Sequence, residues 1–194
     1  GVDAYKTVEM TMGEKGVWSH TEPCGHGTYY TYTVSTAAGT QDAVDPYAKS
    51  VGLNGERGMV VDFSKTNPEG WTEHKFKSDI RSYSDVIIWE VHVRDFSNKI
   101  TSSAHKGKYL AFTEQGLVNE HGVPVGVDYL KELGITHVQI MPMYDFAAVD
   151  EYHLEDWQQY GWGYDPKNYN VPEGSYSTDP YNGAVRVNEF KQMV

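Results

Sequence analysis

The segment Tyr160-Gly161-Trp162-Gly163-Tyr164-Asp165-Pro166 sets three flat aromatic rings within five residues, with a glycine between neighbouring rings and a carboxylate and a proline directly after. Rings of this kind stack on the apolar C–H faces of sugars, while nearby carboxylates and amides take the hydroxyls. Glycine lets the backbone bend sharply and approach a ligand closely. Proline stiffens the exit. Tyr160, Trp162, Tyr164 and Asp165 are therefore the candidate binding residues. Tyr160 is expected to face the ligand and one of the other two rings to pack underneath. Asp165 either fixes the loop by accepting backbone hydrogen bonds or holds a sugar hydroxyl. The competing reading is an aromatic loop that only packs on its own domain.

Two other constellations carry weaker signals. His92, Arg94 and Asp95 read as part of a strand, with His92 and Arg94 on one face and Asp95 on the other. Ion pairing or packing is a commoner use of such residues than catalysis. Asp145, Asp150, Glu151, Glu155 and Asp156 form an acidic run. Its oxygens could ligate a hard cation such as calcium, but the spacing fits no EF-hand loop, and a solvated acidic face is the expectation. His20, His26, His74, His105, His121, His137 and His153 show no metal-ligand spacing, so neither a metal nor another cofactor is expected. There is no nucleophile elbow and no phosphate-binding loop.

The elements that must position these residues change character along the chain. Residues 1–63 read as all-β, with Val17-Trp18-Ser19, Tyr29 to Val34 and Val60 to Phe63 as strands and Pro23, Gly25, Gly27 and Gly39 in the turns. Short strands at this spacing suggest a β-sandwich. Residues 64–84 are polar and read as a linker. From residue 85 a second pattern begins. Val86 to Val91 is a nearly continuous apolar run, of the kind buried on both faces. Val125 to Leu133 reads as a helix with Gly134 as its cap, and Thr136 to Pro142 as a second buried strand. Strand, crossover helix and strand predict two parallel neighbours. A long loop, 143–187, carries the aromatic segment, and a helix begins near Val187.

The 194 residues carry 16 Lys+Arg against 27 Asp+Glu, a net charge of −11. That balance argues against nucleic acid or an anionic membrane surface as partner. No apolar run approaches the ~18 residues of a membrane-spanning helix. Gly1 to Tyr5 shows no signal-peptide pattern, and the single cysteine, Cys24, excludes an intramolecular disulfide. Those two features lean toward a cytoplasmic over a secreted setting.

The order Tyr-x-Trp-Gly-Tyr-Asp-Pro, continuing into Val171-Pro172-Glu173-Gly174-Ser175-Tyr176, closely resembles the signature segment of type I pullulanases, starch-debranching members of the α-amylase clan of glycoside hydrolases. The resemblance extends along the chain. Gly16 to Ser19, Gly27 to Tyr32, Val44 to Lys49 and Asn54 to Asp62 are similar to that family's starch-binding-like, immunoglobulin-like β-sandwich module. Val86 to Ser97 and Gly134 to Pro142 resemble the first two strands of its (β/α)₈ TIM barrel. The resemblance implies a module at 1–63 that the chain enters late, a linker at 64–84, and the first βαβ part of an incomplete barrel at 85–194. It implies cleavage of α-1,6 branch linkages in an α-glucan (pullulan, amylopectin or limit dextrin) with retention, and Tyr160 stacked on the sugar beside the bond being cut. Gly161 stands where a common family version has Asn, a departure expected to alter one polar contact. A retaining glycosidase needs two carboxyls ~5–5.5 Å apart across the bond. None of the acidic residues here matches the family's nucleophile or acid/base positions, which implies that the catalytic residues lie on the remainder of the barrel, on a longer or a separate chain. Alternatives are a non-catalytic glucan-binding module and another clan enzyme, isoamylase-like or a branching enzyme.

Overall fold

Aromatic and β-branched residues interrupted by glycine and proline build short strands, and each strand finds a single partner. The computed structural model describes residues 5–76 and 79–194. Strand β1 (Thr11–Met12) pairs antiparallel with β2 (Trp18–Ser19). The strand expected over 29–34 is two strands, β3 (Tyr29–Tyr30) and β4 (Tyr32–Thr36). They part at Thr31 because they serve different partners. β4 forms a hairpin with β5 (Gly39–Ala43), turning at residues 37–38, whereas β3 pairs with β6 (Gly58–Met59). The closing strand thus lies slightly earlier than 60–63. Asp62 ends it by accepting from Ser64 N and opening a 3₁₀ turn at Phe63–Thr66. Those turn residues dock on the last helix: Lys191 Nζ donates to Phe63 O at 2.9 Å and Asn67 Oδ1 at 2.7 Å.

In the second part, β7 (Ile88–Val91) runs directly into a short helix, α1 (Val93–Ser97). Helix α2 (Val127–Glu132) leads to β8 (His137–Ile140), and β8 pairs parallel with β7, Ile88 opposite His137 and Val91 opposite Ile140. The glycine cap is present: Gly134 has φ +72°, and Ile135 N returns to Leu130 O. The parallel pair predicted from strand, helix and strand is therefore what forms. Its burial differs from expectation. Ile88 is 58% exposed and Val138 41%. Trp89 leans edge-on against Tyr129 of α2, while the opposite face is uncovered by the described residues. A continuous apolar run records the need for two-sided cover, and the cover must come from other elements.

The long loop over 143–187 is not structureless. It contains β9 (Tyr144–Phe146) and β10 (Pro166–Pro172), antiparallel and bulged. The last helix, α3 (Gly183–Met193), starts four residues earlier than the sequence suggests, capped by the Asn182 side chain on Ala184 N. Gly183 is the first residue of the helix. In the fold it is a point of close approach, since a Cβ there would lie 2.7 Å from Ser50 Oγ and from Val51 O. All five sheets have two strands, and no barrel closes among the described residues. The chain is β-rich with few helices. The core centres on Val93, Tyr109, Phe146 and Tyr176, joined by Ile140 and Phe190, and a smaller cluster gathers Ala48, Val51 and Val171. No described helix is long and apolar enough to cross a membrane.

Candidate functional site

The aromatic loop is fastened by its glycines, and its rings are turned outward. Gly163 is buried at φ +83°, and a Cβ on it would fall 2.1 Å from Pro142 O, at the end of the β8 segment. Gly161 is buried as well, with a Cβ meeting Ala148 Cβ at 2.8 Å and Phe146 Cε2 at 2.9 Å. Its carbonyl accepts from His92 Nε2 at 2.9 Å. The close approach expected of these glycines is thus to the protein's own backbone and core. A side chain at 161 would have to move Ala148 or Phe146, so the departure there carries a steric difference.

With Gly161 and Gly163 buried, the ring-bearing positions between and beside them are left on the outside. Tyr160 is 41% exposed, Trp162 63% and Tyr164 67%. The expectation that Trp162 or Tyr164 packs underneath is corrected: neither does, because the inward positions between them are too tight for any side chain. Asp165 is exposed and makes no side-chain hydrogen bond among the described residues, so it does not fix the loop in the way considered for it.

Tyr164 borders an open cleft of 330 Å³ at the carboxyl end of the parallel pair, with Glu90, Gln139, Met141 and Tyr144 on its walls. Glu90 and Gln139 are bonded to each other at 2.9 Å across β7 and β8. Tyr144 pairs with Tyr169, ring centroids 6.1 Å apart, extending the aromatic surface along β9 and β10. Apart from Tyr164, the sequence singles out none of these residues as a candidate for binding. Only the pairing of β9 with β10 brings Tyr144 to Tyr169; Tyr169 continues the aromatic segment of the loop, whereas Tyr144 lies in no local motif.

His92, Arg94 and Asp95 are not alternating strand residues. The strand ends before them, and the turn into α1 gathers all three around Tyr160. His92 is buried and stacks on the Tyr160 ring at 5.0 Å. Because the Gly161 carbonyl can only accept, Nε2 carries the proton, and the Tyr176 hydroxyl lies 3.0 Å from the same nitrogen. Arg94 donates to the carbonyls of Gln159 and Trp157. Asp95 accepts from the Tyr160 hydroxyl at 2.7 Å. Burial first, then the bond to Asp95, push the Tyr160 phenol up to about 12.

The acidic run does not form one solvated face. Glu155 and Asp156 are exposed, and Asp150 caps a turn and holds Asn54 at 2.8 Å. Asp145 and Glu151 are buried on Arg186 of α3, each 3.2 Å from a guanidinium nitrogen. Glu173 lies with them, and oxygens of the three carboxyls come within 4.8 Å of one another. A hard cation could use such a spacing, but the Arg186 guanidinium is the cation already inside. Burial, with the charges of Glu151 and Asp145, pushes the Glu173 carboxyl up to about 8, against the pull of backbone donors at Phe146 and Ser175. Sequence cannot reveal this network, because Arg186 is separated from Asp145 by 41 positions.

Gly163→Ala is expected to lower stability by about 2 kcal/mol or more, since left-handed strain alone is worth about 1–3 kcal/mol and the Pro142 carbonyl must also move. Gly25→Ala is the control: a Cβ there meets nothing within 4 Å, and its effect should stay within about 0.5 kcal/mol. Urea denaturation of both variants checks this, and equal midpoints would refute the tight fit at 163.

No family model matches the chain. The sequences and structures it does match define a class, the starch-debranching glycosidases. Within that class the match is to pullulanases, and the chain is homologous to one stretch of them. A pullulanase of Bacillus subtilis is 39% identical over 194 residues, covering 97% of this chain and 26% of the relative. Chloroplastic pullulanase 1 of Arabidopsis thaliana is 33% identical, covering 92% of this chain and 22% of the relative. Among solved structures, the pullulanase of Paenibacillus barengoltzii, in complex with maltohexaose and α-cyclodextrin, superposes with a TM-score of 0.88 at 46% identity, covering 95% of this chain and 29% of that one. The chain thus spans about a quarter of the length of the relatives it matches.

Proposed function

We propose that this chain is part of a debranching glycoside hydrolase that cleaves α-1,6-glucosidic bonds in pullulan, amylopectin or limit dextrins. Cleavage proceeds with retention, through a covalent glycosyl-enzyme intermediate. Residues 1–63 serve as an accessory starch-binding-like module, 64–84 as a linker, and 85–194 as the opening of a (β/α)₈ barrel. In such a barrel the substrate sits at the carboxyl ends of the strands. The cleft at the ends of β7 and β8, with the aromatic loop beside it, agrees with that geometry.

The observation that carries the reading is the outward set of rings on an inward-facing glycine backbone. Fastening the backbone leaves Tyr160, Trp162 and Tyr164 free to offer flat faces to successive sugars. Asp165, exposed and unbonded, takes a hydroxyl. The oligosaccharide complex of the Paenibacillus barengoltzii relative supports a glucan as the ligand.

The cutting carboxylates lie elsewhere in the protein. Asp145, Glu151 and Glu173 are each buried and held by Arg186 or by backbone donors, where no substrate reaches them. Asp95 is engaged with Tyr160. Purified residues 1–194 should therefore bind glucan but release no reducing ends from pullulan. Measurable release by the chain alone would overturn the assignment of chemistry to other residues.

A further inference from the structure

Of the outward rings, Tyr160 is the one the protein grips. Its ring lies on His92 with planes inclined at 30°, and the Arg94 guanidinium carbon is 5.6 Å from its centroid. Its hydroxyl donates to Asp95 Oδ2 at 2.7 Å. Trp162 and Tyr164 have no hydrogen bond, ring stack or cation contact among the described residues. The gripping residues come from the turn where β7 passes into α1, distant in sequence from the loop they hold. Asp95 stands three positions after His92, and its Oδ2 is also 3.8 Å from His92 Nδ1. That nitrogen is buried and has no hydrogen-bond partner. The same carboxylate oxygen that holds the hydroxyl of Tyr160 therefore lies beside the ring beneath it without bonding to it.

From this geometry we infer that Asp95 is a positioning residue for Tyr160, setting the tilt at which the ring meets a sugar. The inference rests on the proposed stacking role of Tyr160. Stacking on His92 alone leaves the ring free to slide and pivot about its side-chain torsions. The bond at the far end of the ring supplies a second fixed point. In the free protein the pair is partly solvated, with the Asp95 side chain 54% exposed. A sugar laid on the ring removes that water, and a hydrogen bond to a charged acceptor strengthens as its surroundings become less polar. The bond is therefore worth most when the ring is in use. Tyr160, titrating near 12, keeps the proton it donates throughout the neutral range.

The test is a double-mutant cycle in the full-length protein, with pullulan as substrate. Asp95→Ala and Tyr160→Phe each delete the same bond and should each lower kcat/KM about tenfold. The double variant should also fall about tenfold, not about a hundredfold. Asp95→Asn keeps an accepting oxygen and should recover most of the loss. Independently of turnover, the Tyr160 phenol followed by NMR should titrate at lower pH in Asp95→Ala. Losses that multiply, an Asn variant as impaired as the Ala variant, or an unmoved phenol titration would overturn the role of Asp95. Tyr160→Ala separates the two levels. If it is silent, the stacking reading itself fails; if it is damaging while Asp95→Ala is silent, only the positioning role fails.

Discussion

Replacing Tyr160 by alanine is expected to lower kcat/KM on pullulan about a hundredfold, the largest loss among the aromatic residues of the loop. The reason is geometric. A sugar held beside the reacting carboxylates must be placed within about an ångström, and misplacement on that scale is worth about a hundredfold in rate. Tyr160 is the ring whose own position is fixed, by His92 beneath and Asp95 at its hydroxyl. Trp162 and Tyr164 are more exposed and have no such anchors among the described residues. They offer contact area without fixed placement, so Trp162→Ala and Tyr164→Ala should each lose about tenfold or less, as peripheral contacts do. Steady-state kinetics on pullulan with the three full-length variants ranks them. A Tyr160→Ala variant no worse than Trp162→Ala would refute the assignment of Tyr160 to the bond being cut.

The second large effect belongs to stability. Arg186 is fully buried and bonds Asp145, Glu151 and the carbonyls of Pro172 and Pro180, tying α3 to β9, β10 and the turn at 151–153. Glu151 in turn accepts from Asn54 N at 2.7 Å, which brings the first part of the chain into the same knot. Removing one partner of a buried pair leaves uncompensated charge and destabilises by about 3–5 kcal/mol. Arg186→Ala should therefore unfold at a temperature lower by roughly 6–20 °C, at about 2–4 °C per kcal/mol for a chain of this size.

The deficit should also depend on pH, and the sign follows from the carboxyls. Burial already raises Asp145 and Glu151 above their ordinary values, while Arg186 pulls them down. Without Arg186 they rise further. A carboxyl whose folded value lies above its unfolded value loses stability as pH climbs from the unfolded value toward the folded one. The gap between parent and Arg186→Ala should then be small near pH 4 and widen toward pH 8. Thermal melts across that range check it, and a gap that is constant or narrows with pH would refute the electrostatic account.

The parallel β7–β8 pair and the cap at Gly134 were legible because they depend on short-range rules. A βαβ pattern has few chain paths open to it, and a helix that must stop needs a residue tolerant of positive φ. The aromatic loop was legible as a glycine-punctuated loop for the same reason. Its orientation was not, since the inward seats of Gly161 and Gly163 are defined by Phe146, Ala148 and Pro142. The exposed faces of β7 and β8 failed expectation because an apolar run states a demand for cover and not its source.

Sequence alone determined the kin of this chain, the parallel pair, and the aromatic loop as its candidate ligand-binding segment. These are properties of residue type and near-neighbour order, and they survive without knowledge of the fold. Tertiary structure alone decided that three rings face out together, that Asp95 holds Tyr160, and that Asp145, Glu151 and Glu173 surround Arg186 instead of water or a substrate. Each of those outcomes joins residues far apart in the chain, where direction and burial are set by what the fold brings alongside. A carboxylate in a sequence is only a charge; whether it cuts, positions or is silenced by a guanidinium depends on that neighbour.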